Sequence, residues 1–320
     1  MTGRRQRAAA CAAAVCLATA GGAQQVPLAV ADGSGWRGLW RPSATAPAQW
    51  NAPDSALLSA LTWKSGQRGI AYTELPLRGD GEAWRTRAIV VRIDPARARF
   101  RLDTAFRHER DENGAVMRMA RWRIEDATSR ALLAVNAGQF RTTLLGTMPW
   151  GWVVLQGREW HAPGVGPLSM AVAFDSGGAV TLRPPSDLAR ADRAQGVQFA
   201  FQSFPTLLDG DGNVPAALRT DGSGVDLTHR DARLAIGVQR DGMVLLVMTR
   251  FDVFGRTLGA VPFGLTTPEM AALMGALGAQ RAVMLDGGIS AQLQLRDATG
   301  GMQRWPGWRR VPLGLLVMPR

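Results

Sequence analysis

Short apolar segments separated by turn residues recur along the chain from about Ala56 to the C-terminus. Some segments alternate apolar and polar positions and others are continuously apolar, and both patterns are typical of β-strands. The strands predicted in this way are 69–77, 88–93, 99–104, 131–135, 148–157, 169–174, 180–182, 197–203, 234–238, 243–248, 283–285, 291–296 and 311–318. Several neighbouring strands are joined by short turns, so the pattern predicts a largely antiparallel sheet.

Two segments have helical spacing instead. Apolar residues recur every three or four positions between 117 and 129, which predicts a helix. A second helix is predicted to start at Thr267 as N-cap, to continue through Pro268 and Glu269, and to stop at Gly278. Because helices are few beside many short strands, the predicted fold class is α+β, with a mixed, largely antiparallel β-sheet core and a few flanking helices.

The N-terminal segment has a different pattern. Three arginines precede the small, apolar stretch Ala8–Ala20, whose end fits a cleavage site, so residues 1–23 are predicted to be a secretory signal peptide. Residues 24–55 are rich in Ala, Pro, Gly and Trp, which predicts an irregular leader. Residues 56–320 are predicted to form a single domain. We therefore expect a periplasmic or secreted protein.

Composition excludes several kinds of chemistry. Both cysteines, Cys11 and Cys16, lie inside the predicted signal peptide, so the mature protein would have no disulfide, thiolate zinc site or cysteine nucleophile. The net charge of +11 comes almost entirely from arginines scattered among acidic residues. Such a surface can attract anionic envelope polymers, but no nucleic-acid-binding motif occurs. No apolar run is long enough to span a membrane.

One loop concentrates chemically useful groups. The apolar run 283–285 ends at Asp286, and Gly287, Gly288 and then Ser290 follow. Consecutive glycines allow the backbone to turn sharply and to approach a ligand closely. The loop would bring a carboxylate, a hydroxyl and several backbone N–H groups together. The alternative is a simple hairpin turn, because Asp-Gly between apolar runs is also a hairpin signal.

A second strand end carries an amide. The run 131–135 stops at Asn136, which is followed by Ala137 and Gly138. Asn136 is interpreted either as the cap of a turn or as an amide directed into the same cleft as Asp286.

In order and spacing, several stretches resemble the phosphodiester glycosidase domain family. They are Ala134–Phe140 (Ala-Val-Asn-Ala-Gly-Gln-Phe), Gln202–Leu207 (Gln-Ser-Phe-Pro-Thr-Leu), Arg233–Gly237 (Arg-Leu-Ala-Ile-Gly), and Gly264–Glu269 followed by Leu285–Ser290. The resemblance covers the chain from about Gly69 to the C-terminus. The sequence departs from the family pattern at Ile289, where the family has a third glycine, and at Gln139, where many members have an aromatic residue.

The resemblance implies an exported hydrolase that cleaves a glycosyl phosphodiester or a related cell-envelope glycan linkage. A phosphate leaving group needs little protonation, so the main demands are to hold the phosphate and to stabilise an oxocarbenium-like centre. The catalytic residues implied are Asp286, as base, nucleophile or sugar-hydroxyl acceptor, and Arg233, whose guanidinium matches phosphate oxygens. The implied substrate-binding residues are Asn136, Gly138, Gln202, His229, Gly287, Gly288 and Ser290, with the N–H groups of the last three forming an anion nest.

Alternatives stay open. Arg233 and Asp286 could simply pair with each other, and Asp252 is a candidate second carboxylate without a motif behind it. The chain could be a non-catalytic periplasmic binder of anionic glycan, or a glycosidase acting on non-phosphorylated substrates. No cofactor and no histidine metal site are predicted, since His108 and His161 lack spacing partners, although a divalent cation near Asp286 is left open.

Overall fold

The computed structural model describes residues 27–31, 34–40, 48–110, 116–144, 146–166, 168–220, 224–252 and 261–320. The predicted signal peptide lies outside these residues. Within them, no helix combines the length and the apolar character that a membrane span needs.

Strands are the main elements of the described chain. In the first half they are β1 (Leu28–Ala31), β2 (Trp36–Trp40), β3 (Lys64–Ser65), β4 (Ile70–Arg78), β5 (Thr86–Ile93), β6 (Ala98–Thr104), β7 (Phe106–Arg110), β8 (Val116–Ala120), β9 (Leu133–Asn136), β10 (Phe140–Thr143), β11 (Gly146–Pro149), β12 (Val153–Leu155) and β13 (Arg158–His161). In the second half they are β14 (Met170–Asp175), β15 (Val180–Arg183), β16 (Val197–Ser203), β17 (Thr206–Asp209), β18 (Leu234–Gln239), β19 (Val244–Phe251), β20 (Ala279–Met284), β21 (Leu293–Arg296), β22 (Met302–Trp305) and β23 (Leu313–Pro319). The helices are α1 (Ser55–Ala60), α2 (Pro185–Leu188) and α3 (Thr267–Ala276).

These strands form four sheets. The largest has the order β17-β20-β18-β19-β5-β4-β1-β2, with β3 added on β4. Two five-stranded sheets have the orders β22-β21-β9-β23-β6 and β13-β12-β16-β14-β15, and a small sheet has the order β10-β11-β8-β7. Almost every pairing is antiparallel, and β8 with β11 is the parallel one. The prediction of largely antiparallel sheets with few helices is confirmed.

The central strands of the largest sheet are buried on both faces. In β19, Val244, Leu246 and Met248 face a core shared with the two five-stranded sheets. Leu245 and Val247 of the same strand face a second core that contains α3. A strand segment covered on both sides needs no polar positions, which is why residues 244–248 of β19 are apolar without alternation.

Helix α3 is confirmed, with one correction to its start. The N-cap is Thr266, not Thr267, and its hydroxyl accepts a hydrogen bond from Glu269 N at 3.3 Å. The Glu269 side chain accepts in return from Thr266 N at 2.9 Å, which completes a capping box. All residues of α3 are buried. A Cβ added at Gly275 would lie 2.3 Å from the ring of Trp50, so this tryptophan packs directly on the helix.

Two predicted elements differ from the structure. In place of an irregular leader over 24–55, the described residues form β1 and β2, and β1 extends the largest sheet by pairing with β4. In place of a helix over 117–129, the chain forms β8 and a single 3-10 turn at Ile124–Asp126. Trp122 and Ile124, two positions apart, are both fully buried, so the strand period prevails over the helical one.

Candidate functional site

The loop after β20 is held between three strands. β20 ends beside the start of β18, and the loop then crosses to β21, which pairs with β9. Its backbone hydrogen bonds run from Leu285 N to Leu234 O (2.7 Å), from Asp286 N to Ala137 O (3.1 Å) and from Gly288 N to Ala232 O (2.7 Å). Asp286 is therefore placed by rigid elements, as a catalytic group must be.

The Asp286 side chain is desolvated without being neutralised. Its Oδ2 atom is buried and has no hydrogen-bond partner among the described residues. The pKa of Asp286 is raised to about 6, chiefly by burial and to a smaller extent by the charge of Asp231, against the Ser290 hydroxyl and Arg309, which lower it. A carboxylate with this pKa is mostly ionised at neutral pH and still basic enough to take a proton.

Asp231 is a second carboxylate at the site, and sequence reasoning missed it. A Cβ added at Gly288 would lie 2.8 Å from Asp231 Oδ2, so this carboxylate packs directly over the Asp286 loop. Its Oδ1 accepts a hydrogen bond from Ala232 N at 2.8 Å, and burial raises its pKa. The sequence does contain one signal that could have identified Asp231. It lies two residues before Arg233, a separation that puts both side chains on the same side of an extended segment.

Arg233 does not pair with Asp286. Among the described residues no ion pair joins them, and the strongest attraction on the Arg233 guanidinium comes from Asp231. Arg233 Nε donates to Leu265 O at 2.8 Å, and Nη2 donates to His229 O. Burial lowers the pKa of Arg233. The third guanidinium nitrogen of Arg233, Nη1, is not used in these bonds and can donate hydrogen bonds to an anion.

His229 lies close to Asp231 and Arg233. Its Nε2 lies 3.8 Å from Asp231 Oδ2, and its side chain is 61% exposed. His229 and Arg233 line a pocket of about 470 Å³ that also reaches Thr267 at the start of α3. Within the described ranges, no three His, Cys, Asp or Glu side chains form a group able to hold a metal ion.

Asn136 supports the loop from beneath. It is fully buried, its Nδ2 donates to Asp286 O at 2.7 Å, and its Oδ1 accepts from Gln292 N at 2.9 Å. Both ends of the amide are thus used by the backbone. This placement favours a positioning role for Asn136 over the predicted contact with substrate.

Gln202 and Gly138 are also placed as structural residues. Gln202 is buried; its Oε1 accepts from Trp152 N (2.9 Å) and Gly164 N (2.8 Å), and its Nε2 donates to Gly164 O and Ser169 Oγ (both 3.0 Å). A Cβ added at Gly138 would lie 2.5 Å from Gln202 O, so glycine is needed there for close packing. With no amide group left over, Gln202 cannot bind a sugar as predicted.

Two of the three N–H groups of the predicted anion nest are already used within the protein. Gly288 N donates to Ala232 O, and Ser290 N donates to Gly287 O at 3.1 Å as part of the 3-10 turn at Gly288–Ser290. Gly288 has φ +57, which favours glycine. Ser290 instead contributes its hydroxyl to the Asp286 carboxylate.

The residues at the end of β19 have supporting roles. Arg250 is buried, and its Nη2 donates to Ala291 O (2.7 Å), Trp305 O (3.0 Å) and Pro306 O (2.9 Å), which fixes the chain after the Asp286 loop. Burial lowers the pKa of Arg250 to about 10. Asp252 pairs with Arg87 at 2.9 Å and is therefore a structural carboxylate, not the second carboxylate of the site.

A buried ion pair anchors the segment that carries His229, Asp231 and Arg233. Arg230 donates from both terminal nitrogens to Glu269, at 2.6 and 2.9 Å, and the Glu269 side chain is fully buried. Because Glu269 also caps α3, one side chain connects the helix start to the site.

We expect Glu269→Ala to lower the free energy of unfolding by about 3–5 kcal/mol, because it removes the ion-pair partner of Arg230, whose side chain is only 14% exposed. Urea unfolding measures the change. The Arg230→Met, Glu269→Met double variant should recover much of the loss, since it leaves no unpaired charge. Glu82→Ala, at an exposed position, is the control and should change stability by less than about 0.5 kcal/mol. A loss as small as the control's would contradict the anchoring role.

Comparison with known proteins identifies the family of the chain. The family model for phosphodiester glycosidases matches residues 129–318, more than half of the chain. No curated protein sequence matches. The catalytic domain of zebrafish N-acetylglucosamine-1-phosphodiester alpha-N-acetylglucosaminidase, auto-inhibited by its pro-peptide, has a similar fold, with a TM-score of 0.53, 15% identity, and coverage of 81% of this chain and 88% of that one.

A hypothetical protein from Synechocystis is 18% identical, with a TM-score of 0.48, and the match covers 79% of this chain but 62% of the Synechocystis chain. The chain described here thus spans less than two thirds of that protein. The residues matched by the family model, 129–318, include the strand end at Asn136, the segment 229–233 and the Asp286 loop. The chain belongs to the phosphodiester glycosidase family.

Proposed function

We propose that the chain hydrolyses a glycosyl phosphodiester at the site formed by Asp286, Asp231 and Arg233. The observation that supports this most strongly is the Asp286 carboxylate, whose buried Oδ2 lacks a partner and whose pKa is raised by burial to about 6. A folded protein gains no stability from such a group, so a role in chemistry explains its presence. We also propose that the domain acts after export, which the signal-peptide pattern of residues 1–23 supports.

Each charged residue has one task in this reaction. Arg233 binds the phosphate through its free nitrogen. Asp286 takes a proton from water as the water attacks the anomeric carbon. The bond from that carbon to the phosphate oxygen breaks, its electron pair stays on the phosphate, and a free sugar and a phosphomonoester result. Asp231 adds negative charge that keeps Asp286 basic and favours an oxocarbenium-like centre nearby.

The first substrate to test is an α-linked N-acetylglucosamine 1-phosphodiester, because the zebrafish protein of similar fold is named for acting on one. Purified protein is incubated with this compound and, separately, with an aryl glycoside of the same sugar. We expect free sugar and phosphomonoester from the first only. Tight binding with no product would instead favour a non-catalytic binder of anionic glycan, and cleavage of the aryl glycoside alone would favour an ordinary glycosidase.

The pH dependence should report Asp286. Because the deprotonated carboxylate is the active form, we expect kcat/KM to rise with pH through about 6 and to level off above it. In Asp231→Asn the neighbouring negative charge is gone, the pKa of Asp286 falls, and the rise should move to lower pH. The measurement is a pH–rate profile of both proteins. Asp252→Asn, outside the site, should leave the profile unchanged, and an unmoved profile in Asp231→Asn would exclude its coupling to Asp286.

A further inference from the structure

Arg233 and His229 line a pocket that Asp286 does not line. With a phosphate held by Arg233 and the anomeric carbon at Asp286, the second ester substituent, the aglycone, is the part of the substrate left to occupy this pocket. This assignment rests on the proposed function.

Part of the wall of this pocket is apolar and consists of aromatic side chains. Trp150 and Phe204 meet edge to face, with ring centroids 4.7 Å apart, and Val165 lies at the rim fully exposed. Phe204 is 37% exposed, which is unusual for a phenylalanine packed against a tryptophan. Together these side chains offer hydrocarbon and ring faces to a ligand.

Gln139 holds both rings in place. Its side-chain amide donates to Phe204 O and accepts from Phe204 N at 3.1 Å. Its backbone carbonyl accepts from Trp150 N at 2.9 Å. Gln139 is also a position at which this sequence departs from the family pattern. These bonds fix the backbone that carries both rings, and such pre-organisation lowers the entropic cost of binding against them.

The hydrogen-bonding groups of the pocket side chains are unevenly distributed. Asp226, His229, Arg233 and Thr267 can hydrogen-bond to a ligand, although Asp226 Oδ1 already accepts from Thr228 N (2.9 Å), Thr228 Oγ1 (2.9 Å) and His229 N (3.0 Å). The side chains of Trp150, Val165 and Phe204 offer mainly hydrocarbon. A polyhydroxylated aglycone packed against these three would bury hydroxyl groups with few partners, which costs free energy. An apolar aglycone loses nothing in the same place.

We propose that this pocket is the aglycone subsite and that it selects glycosyl phosphodiesters with an apolar aglycone. The selectivity comes from Trp150 and Phe204, while Arg233 fixes the phosphate at the mouth of the pocket.

The test measures binding, so that it does not depend on turnover. Calorimetric titration compares methyl phosphate, cyclohexyl phosphate and glucose 6-phosphate, the last two carrying six-membered rings of opposite polarity. We expect cyclohexyl phosphate to bind at least about tenfold more tightly than methyl phosphate, since each fully buried methylene is worth about fourfold. Glucose 6-phosphate should bind no more than about twofold more tightly than methyl phosphate, because its hydroxyl groups find few hydrogen-bond partners in the pocket.

Variants assign this preference to the wall. Phe204→Ala and Trp150→Ala should each bring cyclohexyl phosphate to within about threefold of methyl phosphate, with methyl phosphate binding itself unchanged. Phe204→Ala should disturb the fold less than Trp150→Ala, because Phe204 is partly exposed, whereas Trp150 also packs under Gly164. Trp36→Ala, an exposed tryptophan outside the pocket, is the matched control and should keep the wild-type preference.

The outcomes separate this proposal from the proposed function. A preference for cyclohexyl phosphate that the two variants abolish supports the subsite even if no phosphodiester is hydrolysed. Equal binding of the three phosphates, tighter binding of glucose 6-phosphate, or a preference that survives in both variants overturns the subsite even if hydrolysis is observed.

Discussion

Asp286→Asn should lose about a thousandfold in kcat/KM toward a glycosyl phosphodiester, within the range expected when a general base is removed. The substitution keeps the shape of the side chain and leaves the backbone bonds to Ala137 and Asn136 intact. The Ser290 hydroxyl can donate to the Asn oxygen as it does to the carboxylate. The loss should therefore appear in a folded protein with an unchanged circular dichroism spectrum.

The same substitution should stabilise the protein at high pH. The pKa of Asp286 is raised by burial from 3.8 to about 6, so the folded state holds its proton more tightly than the unfolded state. Stability is thus lost as the pH rises from about 4 through 6. A shift of this size corresponds to at most about 3 kcal/mol. We expect Asp286→Asn to be more stable than wild type by up to that amount at pH 8, and the difference to disappear near pH 4.

Urea unfolding at pH 8 and pH 4 measures the difference in stability between wild type and Asp286→Asn. The rate of sugar release at pH 7.5 measures the activity of both proteins. Asp209→Asn provides the control: this residue ends β17, which pairs with β20, and burial also raises its pKa. It lies outside the site, so its substitution should leave hydrolysis unchanged. Wild-type activity in folded Asp286→Asn would remove Asp286 from the mechanism, and a variant that is less stable at pH 8 would contradict its desolvation.

The fold follows from the sequence wherever a local pattern decides it. The run of β19 and the helix start at Thr266–Glu269 are each fixed within a few residues by apolar continuity or capping chemistry. The segments 28–40 and 116–126 are not, because contacts distant in sequence decide them. β1 is a strand since β4 offers it an edge, and Trp122 is placed by the space that Gly314 leaves, where a Cβ would lie 2.1 Å from its ring.

The site shows the same division. The sequence predicts Asp286 and Arg233 as site residues, because a carboxylate beside paired glycines and an arginine at the start of a strand can be recognised from the sequence alone. It does not show which polar groups are already used. The amides of Asn136 and Gln202 are committed to backbone groups 150 and 38 residues away, and the N–H groups of Asp286 and Gly288 donate to Ala137 O and Ala232 O, which are also distant in sequence. Asp231 was overlooked because its partner, Gly288, is distant in sequence.

Arg233→Met should lower kcat/KM for a glycosyl phosphodiester by about 10²–10³, the loss typical of removing one electrostatic contact to a reacting group. The fold should persist, because burial already disfavours the charge of Arg233 and methionine fills similar space with no charge to desolvate. Steady-state kinetics measure the loss, and inhibition by inorganic phosphate should weaken in parallel. Arg240→Met, at the opposite end of the same strand and exposed, should behave as wild type.

Arg233→Lys separates charge from geometry. Lysine keeps the positive charge but lacks the planar fork, so it cannot hold the carbonyls of Leu265 and His229 and still reach the phosphate. We expect activity between those of wild type and Arg233→Met. Removing a residue that binds the phosphate must weaken phosphate binding. If inhibition by phosphate is unchanged in Arg233→Met while activity falls, Arg233 therefore acts only by fixing the His229 segment.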